Sequence, residues 1–311
     1  MEINTDHNYK LLVVGGTGFI GSNIVKRALQ LGYETFSISK KNLIDEKKLK
    51  RVTYITADIT NTESLISHLN KFSFDYIINC SGYINHDDYS GKGREVFEVH
   101  FNGVKNLVDY LDKKKIKKFV QIGSSDEYGD NLAPQYETQK ESPFSMYSLS
   151  KVASTYFLQT LYKTQRFPAV ILRPFLIYGP HQGDDRFITK IIKGCLNNKN
   201  FPVSQGAQLR DFLFIDDFVD AVFIILKKEN IMGEIINISS GVPVSIKKVI
   251  TFISDIIKSG RPEFGKIKYR QGENMRLYGD ITKAKKLLGW KPKIDLQTGL
   301  RKTINSINKN I

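Results

Sequence analysis

Apolar and polar positions follow two rhythms along this chain. Short unbroken apolar runs, each long enough for one buried strand, alternate with stretches where apolar residues recur every three or four positions. Residues 11–14 form the first run, which stops at Gly15-Gly16-Thr17-Gly18-Phe19-Ile20-Gly21. Ile20, Ile24, Val25, Ala28 and Leu29 then recur at helical spacing. Further strands are predicted over residues 34–39, 52–56, 75–79 and 118–123. A long helix is predicted over residues 95–113 on Val96, Val99, Val104, Leu107, Val108 and Leu111, and another from Tyr147 to about Lys163. Two more are expected at residues 184–193 and 244–257. Strands that alternate with helices predict an α/β fold with a doubly wound parallel sheet. No internal repeat or low-complexity segment breaks the pattern.

Strand, glycine turn, helix is the setting in which a glycine motif implies a dinucleotide. The glycines let the backbone turn tightly and approach a pyrophosphate, whose charge sits at the helix N-terminus. Gly15, Thr17, Gly18, Phe19, Ile20 and Gly21 are the cofactor-binding candidates in this turn. A tight turn needing glycine only for packing is the plain alternative. The second strand ends at Ser39-Lys40-Lys41, where an acid would accept from a ribose 2′-hydroxyl and repel a 2′-phosphate. A hydroxyl and two cations there suit a 2′-phosphate, so NADP(H) is expected ahead of NAD(H). After the third strand, Asp58-Ile59 can meet the adenine edge, or Asp58 can cap a helix. Cys80, Ser81 and Gly82 end the fourth strand, and their small side chains leave room for a cofactor.

Composition narrows the picture. At 311 residues and 41% hydrophobic, the chain can bury a large core as one large or two modest domains. Two cysteines, Cys80 and Cys195, make no disulfide framework and no CxxC pair, which fits a reducing compartment. No metal site is expected. No apolar run approaches the ~18 residues of a membrane span, and the first residues lack a signal peptide's apolar core. A soluble, cytoplasmic protein is expected. The net charge of +14 raises the question of nucleic acid. The lysines are scattered in small clusters without interleaved aromatics, so a solvated lysine-rich surface is the better reading; a third is that some of the charge guides polyanionic small ligands.

The fifth strand ends in Ser124-Ser125-Asp126-Glu127-Tyr128-Gly129, at the sheet edge that faces the ligand crevice. Tyr-x-x-x-Lys occurs three times, at Tyr110/Lys114, Tyr136/Lys140 and Tyr147/Lys151. The first lies in a lysine run and the second in a proline-bounded loop. Only Tyr147 follows the serine-rich strand end and opens a new helix, where residues four apart share a face. Hydride addition to a ketone makes an alkoxide, so a proton donor must stand beside the carbonyl oxygen. A phenol, with a reference pKa of about 10, holds its proton too tightly for easy exchange at neutral pH. A neighbouring ammonium favours the phenolate and brings that pKa toward the working range. A serine hydroxyl adds a second hydrogen bond to the oxygen. Ser124, Tyr147 and Lys151 are therefore the catalytic candidates.

These motifs together resemble the extended short-chain dehydrogenase/reductases that modify nucleotide sugars: 4-epimerases, 4,6-dehydratases and 4-keto reductases. The resemblance spans about residues 10–305. It adds Arg173 with Tyr178-Gly179-Pro180, Arg210-Asp211-Phe212 with Asp216-Asp217, and Leu287-Leu288-Gly289-Trp290-x-Pro292. It implies a Rossmann-like NADP-binding domain over residues 8–174 plus about 211–240, and a smaller C-terminal nucleotide-sugar domain over 175–210 and 241–311. It also implies a homodimer through a four-helix bundle, and a role for Lys151 in holding the nicotinamide ribose. Guanidinium forks suit a diphosphate, and with the resemblance Arg210 and Arg270 become its expected clamps.

Departures from the family pattern shape the substrate expectation. Dehydratases of the family carry Thr-Asp-Glu before an apolar residue and Tyr-Gly. Counting back from Tyr128-Gly129, Ser124, Ser125 and Asp126 take those three places, and the Asp-Glu pair lies one residue out of register. Ser125 and Asp126 remain as substrate-binding candidates, but dehydration machinery looks incomplete. Leu176 and His100 stand where relatives carry asparagine. The expected activity is an NADP(H)-dependent reductase of a nucleotide-diphosphate 4-keto-6-deoxy sugar, with Tyr147 as proton donor. The alternative is a nucleotide-sugar 4-epimerase that keeps NAD tightly bound.

Overall fold

The computed structural model describes residues 9–269 and 272–308. The alternating rhythm folds into a seven-stranded sheet. Its strands are β1 (Lys10–Val14), β2 (Glu34–Ser39), β3 (Val52–Thr56), β4 (Tyr76–Asn79), β5 (Lys118–Ile122), β6 (Ala169–Pro174) and β10 (Ile235–Ile238), in the order β10-β6-β5-β4-β1-β2-β3. From β3 across to β6, neighbouring strands run parallel. The expected Rossmann-like sheet is therefore present. Chain order reverses between β1 and β4, and a ligand crevice opens beyond the carboxyl ends of strands at such a point. Leu11, Leu12, Val13, Ile77, Ile78, Phe119 and Val120 are fully buried, so both faces of the sheet centre are covered.

Helices α1 (Phe19–Gln30), α2 (Thr62–Leu69), α3 (Arg94–Phe97), α4 (Gly103–Tyr110), α5 (Met146–Gln165) and α7 (Ile215–Lys227) connect the strands. The predicted helix over 95–113 is not regular. A π-helical segment, Glu98–Asn102, joins α3 to α4, and Leu111 turns to extended backbone at φ −87°, ψ 148°. The π turn disturbs the backbone ladder, and the His100 carbonyl accepts from Ser154 Oγ of α5 at 2.5 Å.

The chain divides into two compact units. Among the described residues, one contains 9–129, 140–173 and 219–236; the other contains 130–139, 174–218, 237–269 and 272–308. In the second unit, β7 (Leu176–Tyr178), β9 (Leu209–Phe214), β11 (Pro243–Ser245) and β13 (Arg276–Leu277) form a small sheet around β9, while β8 (Asn200–Pro202) pairs with β12 (Arg261–Glu263). Helices α6 (Phe187–Leu196), α8 (Ile246–Ile257), α9 (Thr282–Leu288) and α10 (Leu296–Asn308) complete it. Helix α6 begins three residues later than predicted, because Arg186 keeps extended backbone at its N-cap. The first two residues of the predicted 244–257 helix belong to β11 and to the cap, where Ser245 accepts from Lys248 N. Trp290 is a packing anchor: it is buried, and its Nε1 donates to the Asp217 carbonyl at 3.2 Å. No helix among the described residues is long and apolar enough to cross a membrane.

Candidate active site

The glycine turn joins β1 to α1 with the geometry a pyrophosphate needs. Gly15 has φ +77°, and a side chain there would fall 2.9 Å from the Cys80 carbonyl. At Gly21, an added Cβ would lie 2.2 Å from the Gly15 carbonyl oxygen, so helix and turn close up only on glycine. Gly18 is the N-cap of α1 in extended backbone, and it supplies no side chain to occupy the helix's first amides. Thr17 lies in the turn, Phe19 and Ile20 open the helix, and no acid stands in that first turn. An anion is favoured at such a terminus. These residues fit a dinucleotide.

The other cofactor candidates stand at or just beyond the ends of β2, β3 and β4. Ser39 Oγ donates to the Lys41 carbonyl at 2.9 Å. Lys40 Nζ lies 2.8 Å from Asp58 Oδ2. The Asp58 carboxylate, through its hydrogen bond and charge, raises the Lys40 ammonium above its ordinary pKa. Burial works against the Asp58 charge, but Lys40 and Thr60 together hold that carboxyl below its usual range. Asp58 also accepts from Thr60 N at 2.9 Å and Thr60 Oγ1 at 2.8 Å, so it organises its own turn as a cap does. Ile59 is buried, and its carbonyl accepts from Asn106 at 3.0 Å. At the end of β4, Cys80 Sγ donates to the Val14 carbonyl, and burial pushes the thiol up to about 12. Ser81 Oγ donates to Asn79 Oδ1 at 2.6 Å. Gly82 has φ +105°, and a side chain there would strike the His100 ring.

The three catalytic candidates lie on β5's carboxyl end and the first turns of α5. Ser145 caps α5 by accepting from Ser148 N, which sets where the helix begins and so where Tyr147 and Lys151 stand. Tyr147 is buried. Lys151 Nζ donates to the Ile122 carbonyl at 2.8 Å and sits 5.8 Å from the centre of the Tyr147 ring. Burial pushes the Lys151 ammonium down to about 8, although Glu127, Cys80 and Asp126 oppose that shift. It is therefore mostly charged at neutral pH, beside a phenol. Ser124 follows β5 and accepts from Asp126 N at 3.1 Å. Ser125 is buried, and Asp126 is partly exposed.

Three groups that carry no motif in the sequence also belong here. His100 presents its ring edge-on to Tyr147, with centroids 5.1 Å apart, and bonds the Tyr83 carbonyl through Nε2 at 2.9 Å. Burial, helped by the Lys151 charge, pushes His100 down to about 3, so it is neutral. His86 lies 5.8 Å from the Tyr147 ring, 3.9 Å from Asp126 Oδ2 through Nε2, and 3.3 Å from Ser145 Oγ through Nδ1. Glu127 is fully buried. It takes Ser124 N at 2.9 Å, Thr155 Oγ1 at 2.8 Å and Arg173 Nε at 2.9 Å. A charged residue at the motif's apolar place was the available signal for Glu127. For the histidines only the departure at His100 was visible.

In the second unit, Arg210 is largely buried on β9, where it donates to the Leu209 carbonyl and pairs with Glu273. Arg270 lies outside the described residues. Asp211 accepts from Ser240 N at 2.6 Å and Gly241 N at 2.9 Å, pinning the loop after β10 beside β9.

Known proteins are similar to this chain in sequence and fold. The chain is 30% identical over 310 residues to an uncharacterised UDP-glucose epimerase of Bacillus subtilis, covering 95% of this chain and 96% of that one. It is 27% identical over 318 residues to human dTDP-D-glucose 4,6-dehydratase, covering 97% of this chain and 90% of that one. Its fold matches that of UDP-glucuronic acid 4-epimerase from Bacillus cereus in complex with UDP-glucuronic acid and NAD, at TM-score 0.85 and 27% identity, over 97% of this chain and 100% of that one. Residues 11–239 match the NAD dependent epimerase/dehydratase family, and the chain belongs to that family.

Proposed function

We propose that this enzyme works at C4 of a nucleotide-linked sugar, and that it is a 4-epimerase using NAD. The observation that carries the reading is the buried Lys151 ammonium, fixed on the Ile122 carbonyl beside the Tyr147 ring. A bound nicotinamide dinucleotide supplies a hydride acceptor and donor. Tyr147 takes the C4 hydroxyl proton and returns it. Lys151 lowers the cost of the phenolate, and Ser124 hydrogen-bonds the same oxygen. Lys151 also holds the nicotinamide ribose.

The first unit holds the dinucleotide through Gly15, Thr17, Gly18, Phe19, Ile20, Gly21, Asp58, Ile59, Cys80, Ser81 and Gly82. The second holds the nucleotide sugar, with Arg210 and Arg270 on its diphosphate. Ser125 and Asp126 face the sugar. Two copies pair through a four-helix bundle; light scattering at micromolar concentration tests the pairing.

NAD is preferred here to the NADP(H) expected from sequence. Lys40 is already paired with Asp58, and the Ser39 hydroxyl is turned onto the Lys41 carbonyl. A 2′-phosphate would have to compete with both contacts. The purified protein is expected to carry NAD(H), and to interconvert UDP-glucose or UDP-glucuronic acid with the C4 epimer without net cofactor use. Direct titration should find NAD bound at least as tightly as NADP. The second reading, a 4-keto reductase using Ser39, Lys40 and Lys41 for NADPH, is favoured by those side chains standing together at the end of β2. A tenfold or greater preference for NADPH, with stoichiometric NADPH consumption on a 4-keto-6-deoxy sugar nucleotide, would establish it instead.

Arg210→Ala tests the substrate half. A charge-assisted hydrogen bond is worth about 1.5–3 kcal/mol, so sugar-nucleotide affinity by calorimetry should fall at least ~10-fold. NAD affinity should hardly change. Equal loss for both ligands would mean a folding defect.

A further inference from the structure

We infer that Thr155 is a positioning residue for the reaction at C4: its buried hydroxyl grips one oxygen of Glu127, whose other oxygen holds Ser124, and this fixes Ser124 against Tyr147. The inference rests on the C4 reading above, and it adds a residue that lies outside every motif of the sequence. Ser124 follows β5, whereas Tyr147 and Lys151 stand on α5. Groups that must meet one sugar oxygen therefore come from different elements of the same unit, and their spacing has to be set.

Two cross-links set it. Lys151 Nζ donates to the Ile122 carbonyl at 2.8 Å, and Thr155 Oγ1 donates to Glu127 Oε2 at 2.8 Å. Lys151 and Thr155 are four residues apart and share one face of α5. A single bond would let the helix pivot on the strand end; two along one face fix both its rotation and its slide. Glu127 carries the second link into the site. Its Oε1 accepts from Ser124 N at 2.9 Å, closing a capping box in which Ser124 Oγ accepts from Asp126 N. Gly123 leaves the space for this contact, because a side chain there would strike Oε1. Thr155 and Glu127 are both buried, so bulk water does not compete for their bond.

The direction of the Thr155 hydroxyl separates this role from ordinary helix packing. A threonine inside a helix commonly turns its hydroxyl onto the carbonyl of the preceding turn. Thr164 and Thr303 do so, on the carbonyls of Thr160 and Gly299. Thr155 turns to Glu127 instead. Charge does not require that bond, since Arg173 already meets the same oxygen through Nε at 2.9 Å and Nη2 at 2.8 Å. What the hydroxyl adds is a fixed place for the carboxylate relative to α5, and through the carboxylate a fixed place for Ser124. Precision of this kind matters to rate: a misplacement of about 1 Å caused far from the chemistry can cost about 100-fold.

Thr155→Val tests the bond, because valine keeps the shape of threonine and lacks its hydroxyl. Turnover of the full-length protein is measured on UDP-glucose, UDP-glucuronic acid and dTDP-linked 4-keto-6-deoxyglucose, the last with added NADH or NADPH. The valine variant is expected to lose at least ~10-fold in kcat, with KM and NAD affinity within about threefold of the wild type. Thr155→Ser restores the hydroxyl and should return kcat to within about threefold. Thermal unfolding reports whether each variant is folded, and Thr155→Ala takes the place of Thr155→Val if valine is not accepted. The sharpest comparison adds Ser124→Ala. Because Thr155 acts through Ser124, its replacement by valine should cost less than about twofold in that background. An equal cost in both backgrounds overturns the route through Ser124. Wild-type kcat in folded Thr155→Val, or a loss that serine does not recover, overturns the inference and leaves the C4 reading standing. A wild-type protein that turns over none of the three substrates overturns the C4 reading, and the inference falls with it.

Discussion

Tyr147→Phe is expected to lower turnover at least ~100-fold, as loss of a positioned acid–base group typically does. Dinucleotide and sugar-nucleotide affinities should stay within a few-fold of the wild type. The substitution removes one oxygen and leaves the ring, whose edge contacts with His86 and His100 keep the pocket's shape. The expected loss is large because the buried acid–base groups around Tyr147 are committed elsewhere. Lys151 is held on the Ile122 carbonyl, His100 is neutral, and Glu127 is spent on Arg173. The pH profile provides a second reading of the same unit. Lys151, pushed down to about 8 by burial, carries its charge below that pH and loses it above. Wild-type activity that depends on the ammonium should therefore fall as pH rises through about 8. Turnover of the Phe variant near the wild-type level would mean that Tyr147 is not the proton donor.

Local signals made part of this enzyme legible. The glycine turn, the serine-rich strand end and the Tyr-x-x-x-Lys spacing each lie within one strand–loop–helix step, and each is found on the element its pattern implied. What stayed hidden depends on pairing between distant segments. Parallel pairing of β2 with β3 sets Ser39 opposite Thr56, which brings the residues just beyond both strands together and lets Lys40 meet Asp58. Each residue was a candidate alone, but their pairing, which bears on cofactor choice, needed the register. Arg210 read as an isolated cation, yet pairing of β9 with β13 brings Glu273 within reach of it. His86 lies in a loop without periodicity, so nothing in the chain tied it to Asp126.

Glu127 shows the same limit with an energetic consequence. By sequence it belongs to an Asp-Glu pair one residue out of register, which suggested altered sugar chemistry. In the fold its carboxylate points into the protein. Arg173 is fully buried between Glu127 and Glu141, with Nη2 at 2.8 Å from the first and 2.6 Å from the second. Glu141 also accepts from the Tyr156 hydroxyl. Burial pulls against the Arg173 charge, yet the two carboxylates and the Tyr128 hydroxyl hold its pKa above the ordinary guanidinium value. Removing one partner from such a cluster leaves a buried charge undercompensated, at a cost of about 3–5 kcal/mol. Glu127→Ala should show that loss in urea unfolding, which is a large share of the about 5–15 kcal/mol of a whole domain. It also takes the acceptor from Ser124 N. Replacing the whole cluster, Glu127→Leu and Glu141→Gln with Arg173→Met, should recover at least half of the loss, because no buried charge is then left without a partner. If Glu127→Ala costs less than about 1 kcal/mol, the range of exposed ion pairs, then the cluster does not hold the turn beneath Ser124.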